Sequence, residues 1–427
     1  MKIYQVAILG FGVVGSGVYR IIKENHDDLK HREGVHLHTK RVLVRSLKPQ
    51  YFDVAPEELF TTNFYNILND DDVSIVIECM GGVEPARTFI LKALKAGKTV
   101  VTSNKEVISK HWYEFEKIAK QSGAGLYYEA TVGGGIPILR TVTDSMQANN
   151  ISRVLGVING TTNYILTKMA EEGKTYEETL IEAQKLGYAE ADPTADVEGY
   201  DATYKLSILA SMAFHAHLPV PTIYREGITG LSAMDFQTAK QLGYTIKLLA
   251  IGKKQGNSIE VRVHPTMISK DHPLCGARGV FNAVFLTGSA VDDIMLYGRG
   301  AGAMPTASAV VSDVIYACHR DGRHRYMTFV NHEQMSDQIE LVSNFSSGYC
   351  LRILVTDSTG VLSKITQVFA QHNVSLSTVL QTQATDGEAS IVMVTHGAME
   401  MDMKAAVEGI KVLDCVKSVL SVIRVEE

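Results

Sequence analysis

The chain has 427 residues, 45% of them hydrophobic and 21% charged, which is the mixture of an ordinary globular protein with room for about three domains. Forty-one basic residues against 47 acidic ones leave a formal charge of −6, which argues against a nucleic-acid partner held by bulk electrostatics. No apolar run approaches a membrane span, residues 1–9 lead into a glycine-rich turn rather than a signal-peptide cleavage site, and Cys79, Cys275, Cys318, Cys350 and Cys415 show no short spacing, so a reduced, cytoplasmic protein with no membrane partner is expected.

Residues 1–145 alternate short apolar runs (6–9, 41–44, 75–77, 99–102) with helical patterns (16–23, 86–96). Such alternation predicts parallel strands with crossover helices, a doubly wound α/β sheet. The chain opens on the first of these strands, so no domain is expected ahead of it. Residues 146–300 mix strands (151–158, 258–264, 282–287) with helices near 175–187, 200–214 and 233–250, the texture of a separate α+β domain. A helix over 307–319 follows a glycine-rich turn, and about 301–320 should complete the first domain. Residues 321–346 are polar and read as a linker. From 347 to 427 the order is strand 351–356, helix 362–372, strands 374–382 and 389–395 around Asp386-Gly387, helix 401–411 and strand 416–425. That is the β-α-β-β-α-β, ferredoxin-like order, with a hairpin signal at its centre.

Gly10-Phe11-Gly12-Val13-Val14-Gly15 lies between an apolar strand and a helix, the setting of a Rossmann dinucleotide fingerprint. The glycines permit a tight turn, close approach of a pyrophosphate and close helix–strand packing. The helix N-terminus adds unpaired N–H groups for phosphate. At the end of the second strand Arg45 stands where a carboxylate would select NAD, with Lys48 behind it. This favours NADP, with NAD as the alternative and a solvated basic strand end as the bland reading.

Ser103-Asn104-Lys105 follows the strand at 99–102, where loops of a doubly wound sheet meet ligand. Asp201 and Lys205, four residues apart, share a helix face, and no charge follows from 206 to 214. A charged pair opening an apolar helix is either a cap or a working site. Gly187, Tyr188, Glu190, Asp192 and Asp196 crowd the turn-rich stretch upstream. Carboxylates beside lysine suit a small substrate that carries an amine and has a proton to move. Asn159-Gly160-Thr161-Thr162-Asn163 would place N–H groups and hydroxyls at a helix start, either a plain N-cap or a seat for a carboxylate. His215-Ala216-His217 lacks a third metal ligand, and no Asp-Phe-Gly follows His319-Arg320-Asp321.

These motifs, with Glu129-Ala130-Thr131-Val132-Gly133 and Gly187 to Pro193, resemble homoserine dehydrogenase in that family's order and over essentially the whole chain. The C-terminal unit resembles an ACT domain, a small-ligand regulatory module. The resemblance implies an oxidoreductase of amino-acid biosynthesis that interconverts L-homoserine and L-aspartate 4-semialdehyde with NAD(P), in the route to threonine, methionine and isoleucine. It implies that Lys205 is the acid/base lysine and that Lys105 orients substrate and cofactor. Glu190 and Asp201, with Asp196 nearby, would bind the substrate amino group. Gly160, Thr161, Gly187 and Tyr188 fall at substrate contacts, and Gly302 near the cofactor. Glu129 and the carbonyls of Val132, Gly134 and Ile136 would cage a monovalent cation, sodium. The middle domain would also dimerise, giving a homodimer or homotetramer, and threonine is a possible effector at the ACT loop 357–362. No aspartokinase fusion is expected. The rival from another class is a catalytically silent NADP-binding sensor with the ACT unit as output. A third reading is another NADP enzyme such as an aspartate dehydrogenase.

Overall fold

The structure is a computed structural model that describes residues 3–319, 339–381 and 387–426. Two compact units divide the chain. The first comprises Met1–Ile158, Asp201–Ile223 and Phe281–Ile339, the second Asn159–Tyr200, Tyr224–Val280 and Glu340–Glu427, so the stretch expected as one middle domain contributes to both.

The first unit is built on six parallel strands, β1 (Ile3–Leu9), β2 (His36–Leu43), β3 (Phe60–Thr61), β4 (Val73–Glu78), β5 (Thr99–Thr102) and β6 (Leu126–Tyr127). Their order, β3-β2-β1-β4-β5-β6, reverses direction of winding between β1 and β4, the crevice where open α/β sheets hold ligands. Val6 to Leu9 and Val100 are wholly buried, because helices cover both faces of such a sheet and its strands read as unbroken apolar runs. β2 starts five residues before the expected 41, since its outer half alternates His36, His38 and Lys40 and carries no apolar run. The first helix is Val13–Glu24 rather than 16–23, and the late one is Ala303–His319 rather than 307–319. The two touch at Gly17, where an added Cβ would lie 3.1 Å from the Ala303 carbonyl. This unit also holds an antiparallel meander, Ile151–Val157, Phe281–Gly288 and Asp292–Arg299, and, from Asp201 on, the helix Tyr200–Phe214, buried nearly throughout.

In the second unit the helix after Asn159 starts at Gly160 rather than at Tyr164 and runs to Glu172, and the helix expected near 175–187 is Tyr176–Lys185, opened by a capping box between Thr175 and Glu178. The helix expected over 233–250 ends at Gln241. Gly243 turns left-handed (φ +84), and Tyr244–Gln255 is a strand antiparallel to Ser258–Ser269. Seven consecutive residues of Tyr244–Gln255 are buried, and a run covered on both faces has no period that tells strand from helix.

The C-terminal module has the anticipated β-α-β-β-α-β order, with antiparallel strands Ser346–Thr356, Leu376–Gln381, Glu388–Thr395 and Val416–Glu426 under helices Val361–Gln371 and Glu400–Lys411. Of the expected hairpin turn, Asp386 lies outside the described residues and Gly387 takes φ +77. Arg320 and residues 321–338 of the expected linker, Asp321 among them, are also outside them, whereas Glu340–Leu341 is a strand paired with Ser258 and Ile259.

The module's sheet does not end at its own edge. Val416–Glu426 pairs in parallel with Ser258–Ser269, Thr266 opposite Arg424 and Ile268 opposite Glu426. Buried ions line this seam. Arg262, with no exposure at all, donates to Glu426 at 3.0 Å, and Arg424 donates to both oxygens of Glu400 at 3.0 and 2.6 Å. Burial alone would raise the Glu400 pKa, but the Arg424 hydrogen bonds prevail and hold it at about 2. A carboxylate depressed in the fold adds stability that is complete above its unfolded pKa and lost as pH falls through the folded one. We therefore expect acid titration from about pH 4.5 to about pH 2 to remove on the order of 3 kcal/mol. Glu400→Gln should flatten that part of the pH–stability curve measured by urea unfolding.

Candidate active site

In the first unit the glycine loop is fixed by backbone contacts. Gly10, at φ +91, donates its N–H to the Leu43 carbonyl at 2.9 Å, and an added Cβ would sit 2.9 Å from the Cys79 carbonyl. A Cβ on Gly15 would fall 2.0 Å from the Gly10 carbonyl oxygen, whereas Gly12, the helix N-cap, has nothing within 4 Å. Two glycines thus keep the turn closed and the middle one keeps its outer side open. Val13, 69% exposed, and Val14 form the first helical residues at that opening. Phe11 lies between the first two glycines of the loop. Its side chain is buried against Tyr51 and Phe60, rings 5.6 and 5.1 Å away, so only its backbone faces the loop. Arg45 is exposed just past β2, and Gly302 (φ +123) precedes the Ala303–His319 helix.

The loop after β5 is held from below by a residue that the sequence reading passed over. Glu78, wholly buried at the end of β4, accepts from the Thr102 hydroxyl at 2.5 Å and the Met80 N–H at 2.7 Å, and burial raises its pKa. Asn104 caps the helix Lys105–Ser122 through the Val107 N–H and donates to the Gly82 carbonyl at 2.7 Å. Lys105 therefore leaves a rigid corner. Its ammonium lies 2.9 Å from Asp201 Oδ1, while Lys205 lies 2.7 Å from Asp201 Oδ2 and donates to the Ile158 carbonyl at 2.8 Å. One carboxylate, 8% exposed, is thus shared by two ammonium groups. Lys205 is as buried as Asp201, but Lys105 has a 41% exposed side chain.

Glu129 follows β6, and its two oxygens accept from the N–H groups of Leu139 and Arg140 at 2.9 and 2.7 Å. Its own N–H donates to Asp313, which also accepts from Arg140 at 2.7 Å and is raised by burial to about 7. Asp313 escaped the sequence analysis, although a lone carboxylate in the apolar helix Ala303–His319 is itself a signal. The loop then turns through Gly133 and Gly134 (φ +74 and +57), and a Cβ on Gly134 would meet the Gly300 carbonyl at 2.5 Å. The Ile136 carbonyl accepts from Ile138 N–H at 2.8 Å. Among the described residues no group of three or more His, Cys, Asp or Glu side chains could hold a metal ion, so a cation here would rest on backbone carbonyls around Glu129.

In the second unit Asn159 caps the Gly160–Glu172 helix, accepting from the Thr162 N–H and hydroxyl, and donates to Asp196 Oδ1 at 2.7 Å. Thr161 donates to the Tyr188 carbonyl at 2.8 Å. A Cβ on Gly160 would approach the Val280 carbonyl to 3.0 Å. Gly187 (φ +75) turns the chain so that Tyr188 and Glu190 are exposed, the Tyr188 ring 5.0 Å from that of Tyr164. Asn163 is anchored by Lys247, which sequence reasoning missed because it sits in the strand misread as helix. Lys247 donates to Asn163 Oδ1 and the Ala277 carbonyl at 3.0 and 2.6 Å, and burial lowers its pKa to about 8. This unit thus gathers Asn159, Thr161, Tyr188 and Asp196 at one helix N-terminus, which favours an anion, with a carboxylate beside it for an amine.

The fold and these two clusters define a nicotinamide-dependent oxidoreductase with an appended ACT module. The NAD-binding domain of homoserine dehydrogenase matches residues 10–129, the homoserine dehydrogenase domain 137–315 and the ACT domain 351–414. The homoserine dehydrogenases of Bacillus subtilis and Corynebacterium glutamicum are each 42% identical to this chain, the first over 100% of it and 99% of its own length, the second over 99% and 95%. A homoserine dehydrogenase structure from Thiobacillus denitrificans superposes with a TM-score of 0.94 at 36% identity, covering 100% of this chain and 99% of that one. A hyperthermophilic archaeal homoserine dehydrogenase in complex with NADPH matches 75% of this chain and 98% of its own with a TM-score of 0.64 at 29% identity. The chain belongs to the homoserine dehydrogenase family, the oxidoreductases that interconvert L-homoserine and L-aspartate 4-semialdehyde with a nicotinamide cofactor. The silent-sensor alternative finds no support among these relatives. No helix among the described residues is long and apolar enough to cross a membrane.

Proposed function

We propose that this chain oxidises L-homoserine and reduces L-aspartate 4-semialdehyde with NADP in preference to NAD, Lys205 carrying the proton. The observation behind the proton assignment is the Asp201 carboxylate shared by Lys105 and Lys205. When bound, the nicotinamide supplies the hydride acceptor or donor. Two of the three Lys205 N–H groups are engaged by Asp201 and the Ile158 carbonyl, leaving one for the substrate oxygen. In the reducing direction that N–H protonates the nascent alkoxide, and in the oxidising direction neutral Lys205 accepts the alcohol proton. Two ammoniums around one carboxylate leave a net positive charge that stabilises the alkoxide. Lys105, the more exposed of the two, orients substrate and cofactor and can release Asp201 when the substrate ammonium arrives.

The substrate carboxylate is taken by the Gly160–Thr161 end of its helix, and its amine by Glu190 and Asp201, with Asp196 close by. Gly187 and Tyr188 shape that turn. Gly10 to Gly15, Arg45, Lys105 and Gly302 hold the dinucleotide. Glu129 with the carbonyls of Val132, Gly134 and Ile136 holds a sodium ion that braces its loop. An all-oxygen donor set of one carboxylate and three carbonyls suits a hard monovalent cation. We further infer residues 1–145 with 301–320 as nucleotide domain, 146–300 as catalytic domain and 347–427 as ACT domain.

Copies pair as a homodimer or homotetramer, a reading supported by Met295 and Tyr297, exposed on the outer strand of the meander. Threonine is the expected effector at the ACT loop 357–362, and the five free thiols suit a cytoplasmic setting. The test is absorbance at the reduced-nicotinamide band with L-homoserine, NADP and NAD run in parallel, with and without threonine. Folded protein that binds NADPH but turns over neither cofactor would overturn the assignment. Arg45→Ala should raise the KM for NADP by about tenfold or more, the loss of one charged phosphate contact, and leave that for NAD nearly unchanged.

A further inference from the structure

We propose that the short strand Tyr224–Arg225, continued by Glu226, couples the C-terminal module to the substrate-amine loop, with Arg225 as the positioning residue on the loop side. The inference rests on the assignment of Glu190 and Asp196 to the substrate amine.

Successive side chains of a strand point to opposite faces. Tyr224 and Glu226 share one face, their side chains joined at 3.2 Å, and both hold the module's Arg424, whose guanidinium donates to the Tyr224 hydroxyl at 2.9 Å and to Glu226 at 2.7 Å. The same Arg424 is clamped by Glu400. Arg225 faces the other way. Its guanidinium lies 3.5 Å from the centre of the Tyr200 ring and donates to the Glu198 carbonyl, and its stem packs against Gly199. Glu198 and Gly199 lie between Asp196 and the helix that carries Asp201 and Lys205, and Tyr200 opens that helix.

The strand cannot slip without carrying the loop along. Ile228 donates to the Val197 carbonyl at 2.9 Å, and a Cβ on Gly227 would be 2.6 Å from that same oxygen, so the two backbones are in direct contact. Its other edge is pinned by Glu226 N–H to the Val263 carbonyl at 2.8 Å. A cavity of about 200 Å3 opens on the Arg424 cluster beside Met403, Val407 and Val422, which gives Glu226 and Arg424 room to rearrange. A shift of Arg424 is therefore passed through three residues to the backbone that carries Asp196.

The test is steady-state kinetics of the full chain with homoserine and NADP varied in turn. Glu226→Gln keeps the shape but weakens the tie to Arg424, and Arg225→Met removes the stack and the Glu198 bond. Each should raise the homoserine KM by about fivefold, with kcat and the KM for NADP within about twofold, and the double variant should be no worse than Arg225→Met alone because the two residues act in series. Arg225→Lys should restore only part of the loss. Fully additive effects, equal shifts in both KM values, or an unchanged homoserine KM in Glu226→Gln would overturn the coupling. Asp196→Asn is run alongside. If it raises the homoserine KM while Glu226→Gln does not, the coupling alone fails. If Asp196→Asn is silent, the amine-loop assignment beneath it fails.

Discussion

Lys205→Met is expected to lower kcat by about three orders of magnitude, the range of positioned acid–base catalysis, while leaving the NADPH dissociation constant within about twofold. Methionine approximates the lysine stem in volume, so the mostly buried site opens no cavity. Asp201 keeps its second ammonium at 2.9 Å, that of Lys105, so the carboxylate is not left bare. The loss then reports the proton and the local charge rather than collapse. Lys205→Arg separates those two. Guanidinium retains the positive charge but does not give up a proton in a protein, so this variant should remain nearly as slow as Lys205→Met. Rapid turnover in Lys205→Arg would mean that charge suffices and that the proton moves elsewhere. Stopped-flow hydride transfer and NADPH fluorescence titration measure the two quantities independently.

The second large effect is expected at Gly15. A Cβ there would lie 2.0 Å from the Gly10 carbonyl oxygen and 3.0 Å from its carbon. Both neighbours are backbone, and Gly10 is itself wedged between the ends of β2 and β4, so nothing flexible can yield. Gly15→Val should cost about 3 kcal/mol or more, at the upper end of overpacking, and NADPH binding should fall at least a hundredfold or be lost with the fold of the first unit, on the order of 2.7 kcal/mol in binding terms. Gly12→Ala provides the contrast. Its Cβ meets nothing within 4 Å, so its melting temperature should stay near that of the parent. Any loss of NADPH affinity in Gly12→Ala then measures how closely the dinucleotide approaches the backbone. Unaltered NADPH binding in Gly15→Val would contradict the loop geometry itself.

How much of this was legible in the sequence depended on whether a signal was local. The glycine loop is a strand, a turn and a helix within a few residues, and it reads directly. Only the helix start was misjudged, at Ser16 rather than Val13, because the fingerprint glycines look like a loop although the last of them is already helical. Asp201 and Lys205 were legible because an i,i+4 charged pair stands out on an apolar helix. The C-terminal module was legible because its elements follow one another in order.

What was lost is what the chain builds from distant pieces. Nothing local pairs Glu129 with Asp313, or places Lys105 against Asp201. Residues 244–250 read as the end of a helix because both faces of the Tyr244–Gln255 strand are covered, and Lys247 beneath Asn163 is hidden with them. Arg225 gave no signal at all, since a lone arginine near a glycine is the commonest of surface patterns. Its meaning comes from the residues on either side of it in space, Tyr200 and Arg424.

The parallel pairing of Ser258–Ser269 with Val416–Glu426 has a consequence for biogenesis. Thr266, Met267 and Ile268, in a hairpin synthesised early, find their partners Arg424, Val425 and Glu426 only after the ribosome has made the ACT module, so this short length of strand edge stays unpaired throughout that interval. Such an edge is what chaperones capture and what seeds aggregation in half-made chains. Slow codons or truncation between residues 270 and 415 should therefore be far more damaging to yield than the same lesions in the nucleotide domain, and removing the module to obtain an unregulated enzyme should strip a strand from the sheet it leaves behind.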